Sequence, residues 1–149
     1  MIDIFSLKVE EIASKIKDAQ LTSVEVCEKY IEKINKFEKD LKAWVYFDKK
    51  LLLEKAAEAD KYRQSGKPMG PLHGIPIAVK DIVGTVDMPT ECGTVIKKEK
   101  SFSQNAEIID LLLAAGAIVM GKTATAEFAY LGPPKTTNPH DHSRTPGGS

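Results

Sequence analysis

A loop rich in glycine and proline leads directly into a short apolar run at residues 70–81, which read GPLHGIPIAVKD. Glycine and proline restrict or redirect the backbone, whereas apolar and β-branched residues favour an extended strand. Successive side chains of a strand point to opposite faces, so Ile77 and Val79 share one face and Lys80 lies on the other. We therefore predict a constrained loop that delivers a strand over residues 75–81, with a lysine near its end.

The chain before this strand has a helical pattern. Apolar residues recur at helical spacing from residue 6 to about residue 65, as expected for helices that bury one face. An aromatic and β-branched run at residues 43–47 suits a short strand. A third helix is predicted over residues 49–64, and Gly66 ends it.

Two of these helices have predicted N-terminal caps. Ser6 is the predicted N-cap of the first helix, because its hydroxyl can accept an unpaired backbone N–H. Thr22, followed three residues later by Glu25, predicts a capping box at the start of the second helix.

The chain after the strand returns to a helix and a second strand. Residues 106–115, AEIIDLLLAA, are predicted to form a buried helix that ends at Gly116. Residues 117–120 follow as a short buried strand. A helix followed by a strand indicates an α/β layer. From residue 131 onward the chain is rich in proline, glycine, threonine and serine, which predicts a loop.

We find no internal repeat, low-complexity tract or linker between independent domains. The prediction is therefore an α/β fold in which residues 1–149 are one unit. Residues 1–66 form its helical segment, and residues 67–149 begin a core built on a β-sheet.

Composition excludes several classes of function. The 21 basic residues balance the 21 acidic residues, so no net field attracts nucleic acid or anionic lipid, and no direct nucleic-acid binding is expected. Cys27 and Cys92 are too few for a disulfide framework or a cysteine-based metal site. No apolar run is long enough to span a membrane. We expect a soluble, cytoplasmic protein with no membrane association, whose function depends on a local site.

Lys80 is the first candidate for that site. A strand-end lysine commonly extends into water or pairs with a neighbour such as Asp81. A buried, neutral lysine can instead act as a general base. The glycine and serine residues at 147–149 are a weaker candidate, since small residues let a backbone approach a reacting group but also occur in flexible loops.

Three other patterns receive no functional role. Residues 116–123, GAIVMGKT, match the P-loop pattern formally, but a helix precedes them and their variable positions resemble a strand, so we do not expect nucleotide binding. His140 and His142 have no third ligand at a recognisable spacing, so no metal site is expected. His73 is interpreted as a hydrogen-bonded structural residue and receives no catalytic role.

Six segments, in order, resemble the amidase-signature family. They cover most of residues 70–149 and are GPLHGIPIAVKD at 70–81, DMPT at 87–90, AGAIVMGKT at 115–123, EFAY at 127–130, NP at 138–139 and RTPGGS at 144–149. The resemblance implies the N-terminal part of the amidase-signature fold, a mixed β-sheet flanked by helices. It also implies catalysis by a serine, cis-serine and lysine triad without metal or cofactor.

The family's catalytic lysine corresponds to Lys80, and its cis-serine, which relays protons, corresponds to Ser149. The nucleophilic serine of the family lies further along, so this chain is expected to be an inactive fragment of an enzyme that hydrolyses a small-molecule carboxylic amide. The run at residues 87–90 and the short connection at residues 132–134 favour a stand-alone amidase.

Two alternatives stay open. One is the A subunit of a glutamyl-tRNA(Gln)/aspartyl-tRNA(Asn) amidotransferase, and the other is a truncated product without catalytic activity. A homodimer and partner subunits are both compatible with the sequence.

Overall fold

The computed structural model describes residues 2–96, 102–130 and 132–147. Within them the fold is α/β, with four α-helices, a short 3-10 turn and a three-stranded sheet. In chain order the elements are the 3-10 turn (Ile4–Ser6), α1 (Val9–Lys17), α2 (Ser23–Leu41), β1 (Trp44–Phe47), α3 (Lys49–Gln64), β2 (Pro76–Lys80), α4 (Glu107–Ala114) and β3 (Ile118–Thr123).

Strand β3 is the centre of the sheet, whose order is β1-β3-β2. It pairs antiparallel with β1, so that Trp44 faces Thr123 and Phe47 faces Gly121, with an irregularity between Trp44 and Tyr46. This pairing explains why β3 extends to Thr123, three residues beyond its predicted end. The antiparallel partner continues the backbone hydrogen bonding past the apolar run from which the strand was predicted.

The other neighbour of β3 is β2, which runs in the same direction. The N–H of Ile118 donates to the carbonyl of Ile75 at 2.8 Å, and the N–H of Asp81 donates to the carbonyl of Thr123 at 2.9 Å. The residue numbers of the bonded partners increase together along the two strands, as they do in a parallel pair. The sheet is therefore mixed, as predicted.

The described residues divide into two compact units. The first contains residues 2–33, 48–77 and 110–120. Its core consists of buried aliphatic side chains from the N-terminal helices and the loop before β2: Ile4, Ile12, Ile16, Leu21, Val26 and Ile75. Ile12 and Ile16 of α1 and Val26 of α2 are buried, so these helices bury one apolar face as predicted.

The second unit contains residues 34–47, 78–96, 102–109, 121–130 and 132–147. Its interior is more polar. Val79 and Met88 are buried there, and so are Asp81, Thr90 and Lys122. Buried polar groups are costly unless they are hydrogen-bonded, so these side chains fix the loops around them.

The helix starts were predicted with mixed success. The capping box is confirmed: the N–H of Thr22 donates to Glu25 Oε2 at 2.7 Å, and the N–H of Glu25 donates to Thr22 Oγ1 at 3.0 Å. The prediction for Ser6 was wrong. Its hydroxyl donates to the carbonyl of Asp3 at 2.8 Å, and α1 begins later, after Lys8.

The reason for the later start is an acidic residue in the first turn. The N–H of Lys8 donates to Glu11 Oε2 at 2.7 Å. The Glu11 carboxylate, at the third position of α1, therefore satisfies the N–H of the N-cap residue Lys8. Among the helices of the described ranges, none has the length and apolarity required to cross a membrane.

Candidate active site

Lys80 is the last residue of β2 and is half-buried. Hydrogen bonds hold the backbone on both sides of it. The carbonyl of Val79 accepts the hydroxyl of Thr123 at 3.4 Å, and the carbonyl of Lys80 accepts the N–H of Val83 at 3.0 Å. The strand therefore ends in a tight turn directly after the lysine.

A cavity of about 510 Å³ opens beside Lys80, within the second unit. Small and rigid residues form much of its wall, and the lining includes Thr123, Ala126, Tyr130, Pro133, Thr145 and Gly147. Gly147 belongs to the segment that resembles the family's glycine-rich stretch. Lys80 and that segment are thus brought to one cavity. Ser149, the predicted cis-serine, lies outside the described residues.

Asp81 follows Lys80 and is fully buried. Its Oδ1 accepts the N–H of Glu91 at 3.1 Å, and its Oδ2 accepts the N–H of Gly93 at 3.3 Å. Its carbonyl accepts the N–H of Cys92 at 2.9 Å. Asp81 therefore anchors the far end of the loop that begins after Lys80, instead of serving only as an ion-pair partner at the strand end.

A second lysine in this region received no role from the sequence pattern. Lys122 is fully buried in β3, and its Nζ donates to the carbonyl of Val83 at 2.6 Å. It also donates to Thr85 Oγ1 at 3.5 Å and to Thr90 Oγ1. Burial lowers the pKa of Lys122, while the negative charge of Asp81 opposes that shift. The available signal was the position of this lysine directly after a run of buried strand residues.

The same residues explain why the P-loop pattern has no P-loop structure. A P-loop is a turn between a strand and a helix, with backbone N–H groups directed at phosphate. Here residues 118–123 are strand β3, and α4 precedes them. The ammonium of Lys122 is bonded inside the protein. This arrangement does not present a phosphate cradle.

Two of the three histidines have ordinary structural partners. His73 Nε2 lies 2.9 Å from the carbonyl of Ala59, and its ring lies against Tyr62 with centroids 5.6 Å apart. His142 Nδ1 is paired with Thr137 Oγ1 at 3.2 Å. Within residues 2–96, 102–130 and 132–147, no three side chains of histidine, cysteine, aspartate or glutamate converge as metal ligands would. That the site needs no metal or cofactor stays a prediction.

Comparison with known protein families gives a direct match. The model of the family described as Amidase matches residues 25–149. This chain belongs to the amidase family. The resemblance of the six segments to amidase-signature sequences is therefore confirmed.

Relatives of two kinds are similar to this amidase-family chain. The A subunit of glutamyl-tRNA(Gln) amidotransferase from Chloroflexus aurantiacus is 36% identical over 155 residues, covering 100% of this chain and 32% of the relative. AmiD of Mycobacterium tuberculosis, which carries an amidase name, is 39% identical over 142 residues, covering 93% of this chain and 30% of the relative. The chain spans about a third of the length of these relatives.

Solved structures agree with the amidase fold. A protein described in work on a vestigial complex and the origins of an s-triazine catabolic enzyme has a TM-score of 0.85 at 30% identity, covering 96% of this chain and 33% of that one. Peptide amidase from Stenotrophomonas maltophilia has a TM-score of 0.74 at 29% identity, covering 81% and 25%. The predicted fold class is therefore confirmed.

Proposed function

We propose that this chain is the N-terminal part of an enzyme that hydrolyses a carboxylic amide through a serine, cis-serine and lysine triad. Lys80 is the base, Ser149 is the cis-serine that relays protons, and the nucleophilic serine lies in a later part of the protein. One observation carries the proposal: Lys80 lines the same cavity as Gly147, two residues before Ser149. Membership of the amidase family supports the reaction class.

In the proposed reaction, the neutral amine of Lys80 accepts a proton through the hydroxyl of Ser149 from the nucleophilic serine. That serine attacks the amide carbonyl carbon and forms a covalent acyl-enzyme when the C–N bond breaks. The proton returns through the same relay to the leaving amine. Water then cleaves the acyl ester, with the relay acting again as base.

The turn after Lys80 supports this role. A general base must lie within hydrogen-bond reach of the group that it deprotonates, and small errors of position lower the rate strongly. The backbone on each side of Lys80 is hydrogen-bonded to its surroundings. The half-buried side chain also lies at a cavity, where a substrate can approach.

The test is Lys80→Ala in the complete natural protein, assayed with peptide amides, glutamine and simple aryl amides. Because acid–base groups typically contribute about 10²- to 10⁴-fold, turnover should fall by at least about a hundredfold while the melting temperature stays close to that of the natural protein. Lys61→Ala, at an exposed lysine of α3, is the matched control. Turnover retained in Lys80→Ala would contradict the proposal.

A second candidate function is favoured by the amidotransferase relatives. The A subunit of glutamyl-tRNA(Gln) amidotransferase matches the whole of this chain at 36% identity. In that case the chain would belong to one subunit of an amidotransferase that acts on glutamyl-tRNA(Gln) and depends on partner subunits. Purification from the native source distinguishes the two: a stand-alone amidase, whether monomer or homodimer, is active without other chains, whereas an amidotransferase component copurifies with them.

The proposed setting is the cytoplasm. Cys27 and Cys92 are both buried free thiols. Free cysteines are common where disulfides are kept reduced. Fractionation of the native cells, followed by detection of this chain, tests that assignment.

A further inference from the structure

The buried lysine of β3 has a specific set of partners. Lysine is almost never fully buried unless it is paired. The ammonium of Lys122 has three N–H donors, and three neutral oxygens surround it. They are the carbonyl of Val83 at 2.6 Å, Thr85 Oγ1 at 3.5 Å and Thr90 Oγ1. All three belong to the loop that follows Lys80.

One residue of this loop, Val83, is hydrogen-bonded to both Lys122 and Lys80. The N–H of Val83 donates to the carbonyl of Lys80 at 3.0 Å, and the carbonyl of Val83 accepts from Lys122. Further along the loop, the hydroxyl of Thr85 donates to the carbonyl of Met88 at 3.1 Å. The turn after Lys80 is thus closed by the bond between Lys80 and the N–H of Val83. The ammonium of Lys122 holds the same turn through the carbonyl of Val83.

The residue after Lys122 holds the other side of Lys80. The hydroxyl of Thr123 donates to the carbonyl of Val79 at 3.4 Å, and its carbonyl accepts the N–H of Asp81 at 2.9 Å. The backbone before and after Lys80 is therefore bonded directly to Thr123, and the turn beyond it is bonded to Lys122. A shift of the turn would move the base relative to the relay serine.

We propose that Lys122 is a positioning residue for Lys80. Its ammonium donates to Val83, Thr85 and Thr90, and so fixes the turn that determines the position of the base. This inference rests on the proposed amide hydrolysis. It gives a role to the lysine of the GAIVMGKT segment, which does not form a nucleotide-binding loop. Lys122 does not line the cavity beside Lys80, so its effect passes through the turn.

The experiment uses Lys122→Met in the complete natural protein. Methionine has a similar length but no donor, so the three oxygens lose their shared partner. We expect kcat to fall at least about tenfold with KM within about twofold, since misplacement of a base affects the chemical step more than binding. Lys61→Met, an exposed lysine of α3, should leave both constants unchanged.

A companion variant guards against simple loss of folding. Thr90→Val keeps the side-chain volume nearly constant, removes one acceptor from the ammonium and removes the hydroxyl that donates to the carbonyl of Val83 at 3.4 Å. It should lower kcat at least about threefold in a protein with an unchanged circular dichroism spectrum. An unchanged kcat in this variant, or in a folded Lys122→Met protein, would show that Lys122 serves stability alone and would overturn the inference.

Hydrogen exchange separates this inference from the proposed reaction. The N–H of Val83 is bonded to Lys80, so its exchange should become at least about tenfold faster in Lys122→Met and stay unchanged in Lys61→Met. If the natural protein shows no turnover, or if Lys80→Ala stays active, the proposed function fails, and the exchange rate of Val83 still tests the link. An unchanged exchange rate in Lys122→Met would refute the link itself.

Discussion

A buried carboxylate in α3 stabilises the start of α2, and its removal should weaken the first unit. Asp60 Oδ1 accepts the N–H of Ser23 at 2.8 Å, and Oδ2 accepts the N–H of Val24 at 3.1 Å. The first N–H groups of a helix have no partner inside the helix, and negative charge is favourable near them. Asp60 of α3 therefore accepts the N–H groups of Ser23 and Val24, which the capping box of Thr22 leaves without a partner.

The magnitude follows from the two hydrogen bonds. A hydrogen bond to a charged group contributes about 1.5 to 3 kcal/mol, so two bonds set an upper limit of roughly 3 to 6 kcal/mol for Asp60→Ala. Water can enter the vacated space and solvate part of the exposed backbone. We therefore expect Asp60→Ala to lower the free energy of unfolding by about 3 kcal/mol. Asp60→Asn keeps one acceptor and should cost about 1 to 2 kcal/mol.

Urea denaturation of the natural protein and these two variants measures the differences directly. Glu58→Ala is the control, because Glu58 is an exposed carboxylate of the same helix. Its effect should stay within about 0.5 kcal/mol. Amide exchange at Ser23 and Val24 should accelerate in Asp60→Ala. A loss below about 1 kcal/mol in Asp60→Ala, or a loss equal to that of Glu58→Ala, would refute the reasoning.

Three further predictions concern single residues. Gly93 has φ +68°, and an added Cβ would lie 2.6 Å from the carbonyl oxygen of Thr125, so Gly93→Ala should lower the free energy of unfolding by more than about 2 kcal/mol in urea. Thr22→Ala removes the N-cap of α2 and should cost about 1 kcal/mol by the same measurement. Burial, with a smaller effect from Asp60, raises the pKa of Cys27 from 9.0 to about 12. The folded protein therefore keeps a proton that the unfolded chain loses above pH 9, and stability relative to Cys27→Ala should fall by about 1.4 kcal/mol per pH unit between pH 9 and 12. Equal alkaline unfolding profiles of the two proteins would contradict that last expectation.

The sequence predicted those parts of the fold that depend on neighbouring residues. Glycine after an apolar periodic segment correctly indicated the end of α3, and the capping box correctly indicated the start of α2. The extent of β3 was underestimated because its last residues are specified by pairing with β1, 74 to 79 positions earlier in the chain. Such pairing is invisible to a pattern read over a few residues. The Ser6 error arose differently, since the Glu11 carboxylate accepts the N–H of Lys8 and α1 begins after Lys8, two residues beyond Ser6.

In the candidate site, too, features specified by neighbouring residues were predicted and features specified by distant residues were not. Lys80 was predicted as a site residue from its place at the end of an apolar strand and from the family segments, which are both local features. Lys122 was noted within a nucleotide-binding pattern and within one of the six family segments, but it received no role of its own. Its partners lie 39, 37 and 32 positions away, at Val83, Thr85 and Thr90. Only the folded loop brings them to the ammonium, so spacing alone could not have assigned them.

The two lysines also show why a lowered pKa does not by itself identify a base. Burial lowers the pKa of Lys122, which is a common feature of catalytic lysines. A base must present a lone pair to a proton on the substrate side, however, and the Nζ of Lys122 donates to three oxygens of its own protein. Loss of its proton would remove a donor from that set and loosen the loop. Lys80 lines a cavity that Lys122 does not reach. Access therefore favours Lys80 for the chemical step, and the satisfied hydrogen bonds favour Lys122 as the support of the turn.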